Sequence, residues 1–138
     1  MRGEVFIDSG AFVALLDRSD ASHAEVESLF SEPPLGWATS YLVVAETYGW
    51  FLHRLGEPAA RVFRECLAEM TDLTLLDADS RHHSLVGRKI DHLRGKKLTY
   101  VDASCLVWVR ERRIETVWGT DQDLAVEGAI VSPGPPRR

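Results

Sequence analysis

Two cysteines in 138 residues are too few for a disulfide framework. Both, Cys66 and Cys105, stand among apolar neighbours in segments that read as helices, so they are expected as buried small hydrophobes rather than as a bridge or a metal site. No apolar run approaches the roughly 20 residues that span a bilayer, which argues against a membrane protein. The opening Met1-Arg2-Gly3-Glu4-Val5-Phe6-Ile7-Asp8 lacks the apolar core of a signal peptide and reads as a strand, leaving a cytoplasmic location as the default expectation. Internal repeats and a second domain are also missing. Positive charge is in deficit, with 16 Lys/Arg against 21 Asp/Glu and a net charge of −5. By itself that speaks against a nucleic-acid partner.

The deficit is not uniform. From Arg81 to Arg113 there are nine Lys/Arg and three acids, a local +6 that leaves −11 on the rest of the chain. Such asymmetry suits an anion-binding face on an acidic body, although any single cation there is equally well read as part of a solvated helix surface.

The length fits one domain, expected over residues 1–132, with Pro133 to Arg138 as a tail that cannot pack. Val5-Phe6-Ile7, Trp37-Ala38-Thr39, Leu73-Thr74-Leu75-Leu76, Glu115-Thr116-Val117-Trp118 and Ala129-Ile130-Val131 are short, continuous apolar runs, the pattern of buried parallel strands. Helices are expected between them. One spans Ala11 to Leu16, and another follows a Ser22/Glu25 capping box to Phe30. Tyr41 to Leu52 is apolar on nearly every side and reads as a buried helix. Further helices open at Pro58, at Asp79 or Ser80, and at Thr99 before Tyr100 to Arg113. The alternation predicts an α/β class fold, three layers α/β/α around a parallel, roughly five-stranded sheet. Trp37, Trp50, Trp108 and Trp118 are spaced as core residues. His82, His83 and His92 read as surface residues of a basic helix rather than as acid–base catalysts.

Sites in such sheets form outside the carboxyl ends of the strands. Asp8 ends the first strand and Asp121 follows the fourth. Asp102 falls in the first turn of a helix, and Glu46 lies inside the apolar helix Tyr41 to Leu52. Each has a structural alternative. Asp8 can cap the helix that follows, Asp102 can pair with Thr99 in a capping box, and Asp121 with Asp123 can cap a short helix from Gln122 to Glu127. Glu46 is harder to place, because a buried lone carboxylate is costly unless it pairs with a cation such as Arg54 or binds a metal. Gathered carboxylates resist ionising together, and a hard divalent cation resolves that conflict.

In this order and context, Asp8-Ser9, Thr39-Ser40 with Glu46, Leu98-Thr99-Tyr100-Val101-Asp102-Ala103 and Thr120-Asp121-Gln122-Asp123 resemble the PIN-domain nucleases, and among them the VapC toxins of toxin–antitoxin pairs. The resemblance runs from Val5 to about Val131. It implies an α/β/α fold with a five-stranded parallel sheet, and a Mg²⁺- or Mn²⁺-dependent endoribonuclease that inhibits translation. Asp8, Glu46, Asp102 and Asp121 match the catalytic, metal-holding acids, Asp123 a less regular fifth, and Ser9 and Thr120 the hydroxyl residues beside them. Water would attack the phosphodiester in line and leave a 5′-phosphate. Arg81, Arg88, Lys96 and Lys97, upstream of Asp102, are candidates to border its site and contact RNA. Arg110, Arg112 and Arg113 more simply complement a helix dipole. The family further implies a homodimer, with Ala11 to Leu16 and Tyr41 to Leu55 as candidate interfaces, an RNA substrate (tRNA or rRNA) and a cognate antitoxin. Two alternatives share the fold: an RNA-processing nuclease without a toxin role, and an inactive binding module. A receiver-like phosphoacceptor fits badly, since Glu46 and Asp102 lie on helices.

Overall fold

The apolar run Val5-Phe6-Ile7 forms the middle strand of the sheet, with Phe6 and Ile7 completely inaccessible to solvent. The computed structural model describes residues 3–136. Its strands are β1 (Glu4–Ile7), β2 (Gly36–Ser40), β3 (Leu73–Leu76), β4 (Thr116–Gly119) and β5 (Ile130–Pro133). Its helices are α1 (Ser9–Leu16), α2 (His23–Ser31), α3 (Tyr41–Leu55), α4 (Glu57–Glu69), α5 (Ser80–His92) and α6 (Tyr100–Glu111), and one 3₁₀ turn covers Gln122–Ala125. All pairings are parallel, in the order β3-β2-β1-β4-β5.

That order decides where a site can form. From β1 the chain moves outward through β2 to β3, then returns across β1 to β4 and β5. The direction reverses between β1 and β4, so right-handed crossovers send the helices before β3 and those after it to opposite faces. The packing agrees: α1 meets α2, α3 and α4, whereas α5 pairs with α6. The carboxyl ends of β1 and β4 diverge into a crevice at this switch point. Ile7 is in register with Trp118, and the Asp8 amide donates to the Trp118 carbonyl at 2.9 Å. The Thr39 hydroxyl donates to the Ile7 carbonyl at 2.7 Å, tying β2 to the same edge.

The core joins Phe6, Ile7, Phe12, Phe51, Phe63, Leu106 and Trp118. Phe12 and Phe63 meet edge to face with centroids 5.3 Å apart, and Phe30 meets Trp118 at 4.8 Å. At the opposite end of the sheet, Arg112 grips Glu4 through two bonds of 2.8 and 2.9 Å, fixing the end of α6 to the start of β1.

Several expectations need correction. Pro133 belongs to β5, and the buried Gly134 donates to the Gly119 carbonyl at 3.0 Å, so the first two residues of the expected tail are packed. The remainder of that expectation falls partly on 137–138, which with 1–2 lie outside the described residues. Ser22 precedes α2 but makes no side-chain cap. Only Trp118 among the tryptophans is fully buried; Trp37, Trp50 and Trp108 are half-buried, as is Cys66, while Cys105 is fully buried as expected.

His82 is not a surface residue. It is 2% exposed, stacked on Trp108 with centroids 4.1 Å apart, and its Nε2 lies 2.6 Å from the Ser104 hydroxyl. It stands four residues before buried Val86, on the stripe that α5 turns toward α6. Burial lowers its pKa, so the ring is held neutral and serves packing. His83 and His92 are exposed as expected, His83 bonded to the Tyr100 hydroxyl.

Candidate active site

Asp8 follows the last residue of β1 and occupies the N-cap position of α1, yet its side chain makes no capping bond to that helix. It is 4% exposed, and no cation pairs with it among the described residues. Burial raises its carboxyl to about 7 against the partial relief of the Ser9 amide, and the charges of Asp102, Glu46 and Asp121 push it further. The nearest side-chain donor is the buried Cys105 thiol, 3.9 Å from Oδ1. Burial and the neighbouring carboxylates push that thiol well up, so it stays protonated.

Asp102 sits one turn into α6, which rises from the other face to the same edge. The helix starts there because Thr99 and Asp102 form a complete capping box: the Asp102 amide donates to the Thr99 hydroxyl at 3.1 Å, and the Thr99 amide donates to Asp102 Oδ2 at 3.4 Å. The cap reading holds, and it uses only one carboxylate oxygen, so the other remains available. Burial raises the Asp102 carboxyl too.

Asp121 follows β4 and caps the turn Gln122–Ala125 by accepting from the Asp123 amide at 2.9 Å. This fold brings one carboxylate oxygen each of Asp102, Asp121 and Asp123 within 4.8 Å of one another. Asp123, the least regular of the expected acids, is therefore in the tightest group. Asp8 and Glu46 stand outside that triad but within electrostatic reach of it.

Glu46 corrects the sequence expectation. It is exposed, because α3 buries only Val43, Thr47 and Phe51 and turns its other face outward. Its Oε1 accepts from the Ser9 hydroxyl at 2.9 Å, so it is held at the cluster from above rather than trapped in the core. Ser9, Gly10, Glu46, Trp50 and Thr120 line a cleft of about 300 Å³ beside it.

Two residues that the sequence did not single out shape this edge. A Cβ on Gly10 would lie 2.3 Å from Thr120 Oγ1, and one on Gly119 would lie 3.3 Å from the Asp8 Cβ. Bare backbone at both positions lets β1–α1 and β4 approach closely enough to bring Asp8 beside Asp121. The basic residues are placed differently from expectation. Arg81 bonds Glu111 at 2.9 Å, nine residues along α6 from Asp102, which is roughly 13 Å of helix rise. Arg81 and Arg88 thus face the far end of α6 and do not border Asp102. Lys96 and Lys97 are exposed in the loop before Thr99.

The donor set is carboxylate and hydroxyl oxygen throughout, which suits a hard divalent cation such as Mg²⁺ or Mn²⁺. The buried, cation-free Asp8 supplies an independent reason for a positive group at this edge. The structure is an α/β domain with carboxylates gathered at its central β1–β4 crevice, and the comparisons with known proteins agree with that fold. The family model described as PIN domain matches residues 5–127, and the chain belongs to that family. Comparison with curated proteins returns no match. Among solved structures, the chain is similar to VapC20 of Mycobacterium tuberculosis, a sarcin-ricin loop cleaving toxin, with 21% identity over 91% of this chain and 96% of that chain and a TM-score of 0.85. It is also similar to VapBC-5 of the same organism, at 21% identity, 97% and 98% coverage and a TM-score of 0.59. A toxin–antitoxin complex from Klebsiella pneumoniae matches at 16% identity, 95% and 98% coverage and a TM-score of 0.63. No helix of the described residues is long and apolar enough to cross a membrane.

Proposed function

We propose that this PIN domain is a Mg²⁺- or Mn²⁺-dependent endoribonuclease toxin of the VapC type, which cleaves RNA phosphodiester bonds, inhibits translation and is neutralised by a cognate antitoxin. The observation that carries the reading is the gathering of Asp102, Asp121 and Asp123 within 4.8 Å, beside a buried Asp8 that has no cation partner among the described residues. Asp8, Glu46, Asp102, Asp121 and Asp123 would hold the divalent ion. Bound there, the ion lowers the pKa of water and neutralises charge that builds on the phosphate.

The remaining work falls to the chain. The Thr99 cap fixes the turn that presents Asp102. Ser9 orients Glu46 through its hydroxyl, and the Gly10–Thr120 approach sets the spacing between Asp8 and Asp121. His82 and His83 are engaged within the α5–α6 pair, so proton acceptance from the attacking water falls to a carboxylate.

A homodimer fits the exposed apolar residues of the α3–α4 hairpin, where Tyr41, Leu55 and Val62 are each about half accessible. The other expected interface, α1, is consumed by the core: Ala11 to Ala14 are buried. A toxin of this kind acts in the cytoplasm, on transfer or ribosomal RNA. The likeness to VapC20, a sarcin-ricin loop cleaving toxin, makes ribosomal RNA the first substrate to try.

Induced expression of the wild-type chain in a bacterial host is expected to arrest growth and protein synthesis within a generation, with discrete new 5′ ends in one RNA species. The Asp121→Asn chain, expressed to the same level, is expected to leave growth intact. Discrete RNA cleavage without arrest would favour the RNA-processing reading. Unchanged RNA and growth from a folded, partner-free chain would favour the inactive binding module.

A further inference from the structure

Five of the nine cations between Arg81 and Arg113 are gathered by the fold into one groove, away from the carboxylates. α5 crosses α6 so that Val86 packs on Ala103 and Val107. Beside that contact the two helices leave a groove of about 710 Å³, with Leu85 and Val107 in its lining. Arg81, Arg88, Lys89, Arg110 and Arg113 border it, and Glu111 is the only acid among its lining residues. In a chain with net charge −5 this concentration is local.

The pairing pattern separates structural from available charge. Arg112 is consumed by Glu4, Arg81 by Glu111 and Lys89 by Glu127. Arg88, Arg110 and Arg113 are exposed and have no acidic partner among the described residues. A helix dipole explains a cation near the end of α6, but not Arg88 on α5 facing the same space.

Arg113 carries a second, independent signal. The end of α6 is a Schellman motif: Ile114 N–H bonds the Val109 carbonyl at 2.9 Å, and Arg113 N–H bonds the Arg110 carbonyl at 3.2 Å. The residue after the cap in this motif is usually glycine, because it takes a left-handed conformation. Here it is Arg113, with φ of 53°. An arginine is held in a conformation that glycine would adopt without strain, and its side chain lines the groove.

We infer that the α5–α6 groove is an exosite for the phosphate backbone of RNA, engaged by Arg88, Arg110 and Arg113. The inference rests on the RNA-cleaving reading for the identity of the polyanion. Guanidinium forks match phosphate oxygens in two-point contacts, and three unpaired ones around a concave surface suit successive phosphates of one strand. Arg110 lies eight residues from Asp102, about 12 Å along α6, so a strand held in the groove continues to the carboxylate edge within a few nucleotides. The exosite would supply affinity that the acidic edge, which repels phosphate when metal-free, cannot.

The test reads binding rather than cleavage. Anisotropy of a short fluorescein-labelled single-stranded RNA of mixed sequence is followed in EDTA across a salt series. The wild type is compared with Arg88→Gln/Arg110→Gln/Arg113→Gly and with the single variant Arg113→Gly. Arg113→Gly relieves the left-handed strain, so it is expected to melt no lower than wild type while binding RNA several-fold more weakly. The triple variant is expected to lose at least about tenfold in affinity, and the slope of log K against log salt is expected to fall by about two, at roughly 0.7 per phosphate contact. Unchanged affinity and slope in the triple variant would overturn the exosite. So would binding of poly-glutamate, but not RNA, at the groove, which would assign it to an acidic protein segment. If the wild type binds RNA through these arginines yet never cleaves it with metal, the nuclease reading fails and the exosite stands. Cleavage with binding indifferent to the arginines gives the reverse.

Discussion

Near neutral pH and without divalent metal, the Asp8→Asn chain is expected to unfold at a higher temperature than wild type, although it cleaves RNA about 10²- to 10³-fold more slowly. The stability gain follows from burial. The Asp8 carboxyl sits at about 7 in the folded chain and near 3.9 when unfolded. Between those values the folded state holds a proton that the unfolded state has released. Stability from this group is therefore highest below about pH 4 and falls as pH rises toward 7. A displacement of about three units corresponds to at most about 4 kcal/mol, or roughly 10 °C for a chain of this size. Asparagine keeps the shape and never ionises. Thermal unfolding of both chains in EDTA checks this: the variant's advantage should be small near pH 4 and grow toward pH 8. Added Mn²⁺ should then raise the wild type more than the variant, because only the carboxylate binds the ion. A constant difference between the two chains across that range would show that Asp8 does not carry the raised carboxyl.

Gly10→Ala is expected to lower stability by about 1–3 kcal/mol and the cleavage rate by up to about 10²-fold. The new Cβ would overlap Thr120 Oγ1 at 2.3 Å and press on the Thr120 amide at 3.2 Å. A β-branched side chain has few rotamers into which it can retreat. The backbone between β4 and Asp121 must give instead, and the carboxylates separate. Thr120→Ala removes the overlapping oxygen, so the double variant should recover most of the lost stability. Circular dichroism melts and initial cleavage rates of the four chains give the coupling directly. Additive losses in the double variant would mean that Gly10 matters for another reason, such as helix entry.

The order of strands and helices is legible because each strand is a continuous apolar run and the helices between them are marked by caps, prolines or apolar stretches of helical length. The positions of Asp8, Asp102 and Asp121 were legible for the same reason, since strand ends and helix first turns are local features. Burial was less legible where apolar residues surround a helix. The segment Tyr41 to Leu52 gives no phase to say which face packs, and Glu46 emerged on the exposed one. His82 carries its signal in the sequence: it precedes Val86 by one helical turn, so helical phase rather than residue type places it in the α5–α6 contact. The closeness of Gly10 to Thr120, and of Cys105 to Asp8, joins residues about a hundred positions apart and leaves no local trace. Arg81 and Arg88 lie toward the far end of α6 rather than beside Asp102, because proximity in sequence to Asp102 says nothing about the angle at which α5 crosses. The packing of Pro133 and Gly134 against β4 was hidden by a composition typical of a loose tail.

The central claim is that the gathered carboxylates form a divalent-metal site that hydrolyses RNA. Purified, antitoxin-free protein incubated with total RNA in Mg²⁺ or Mn²⁺, then in EDTA, beside Asp102→Asn, tests it most directly. The account predicts discrete cleavage by the wild type with metal, none in EDTA, and a loss of about 10²- to 10³-fold in the variant. Cleavage that persists in EDTA, or an Asp102→Asn chain as active as wild type, would contradict it.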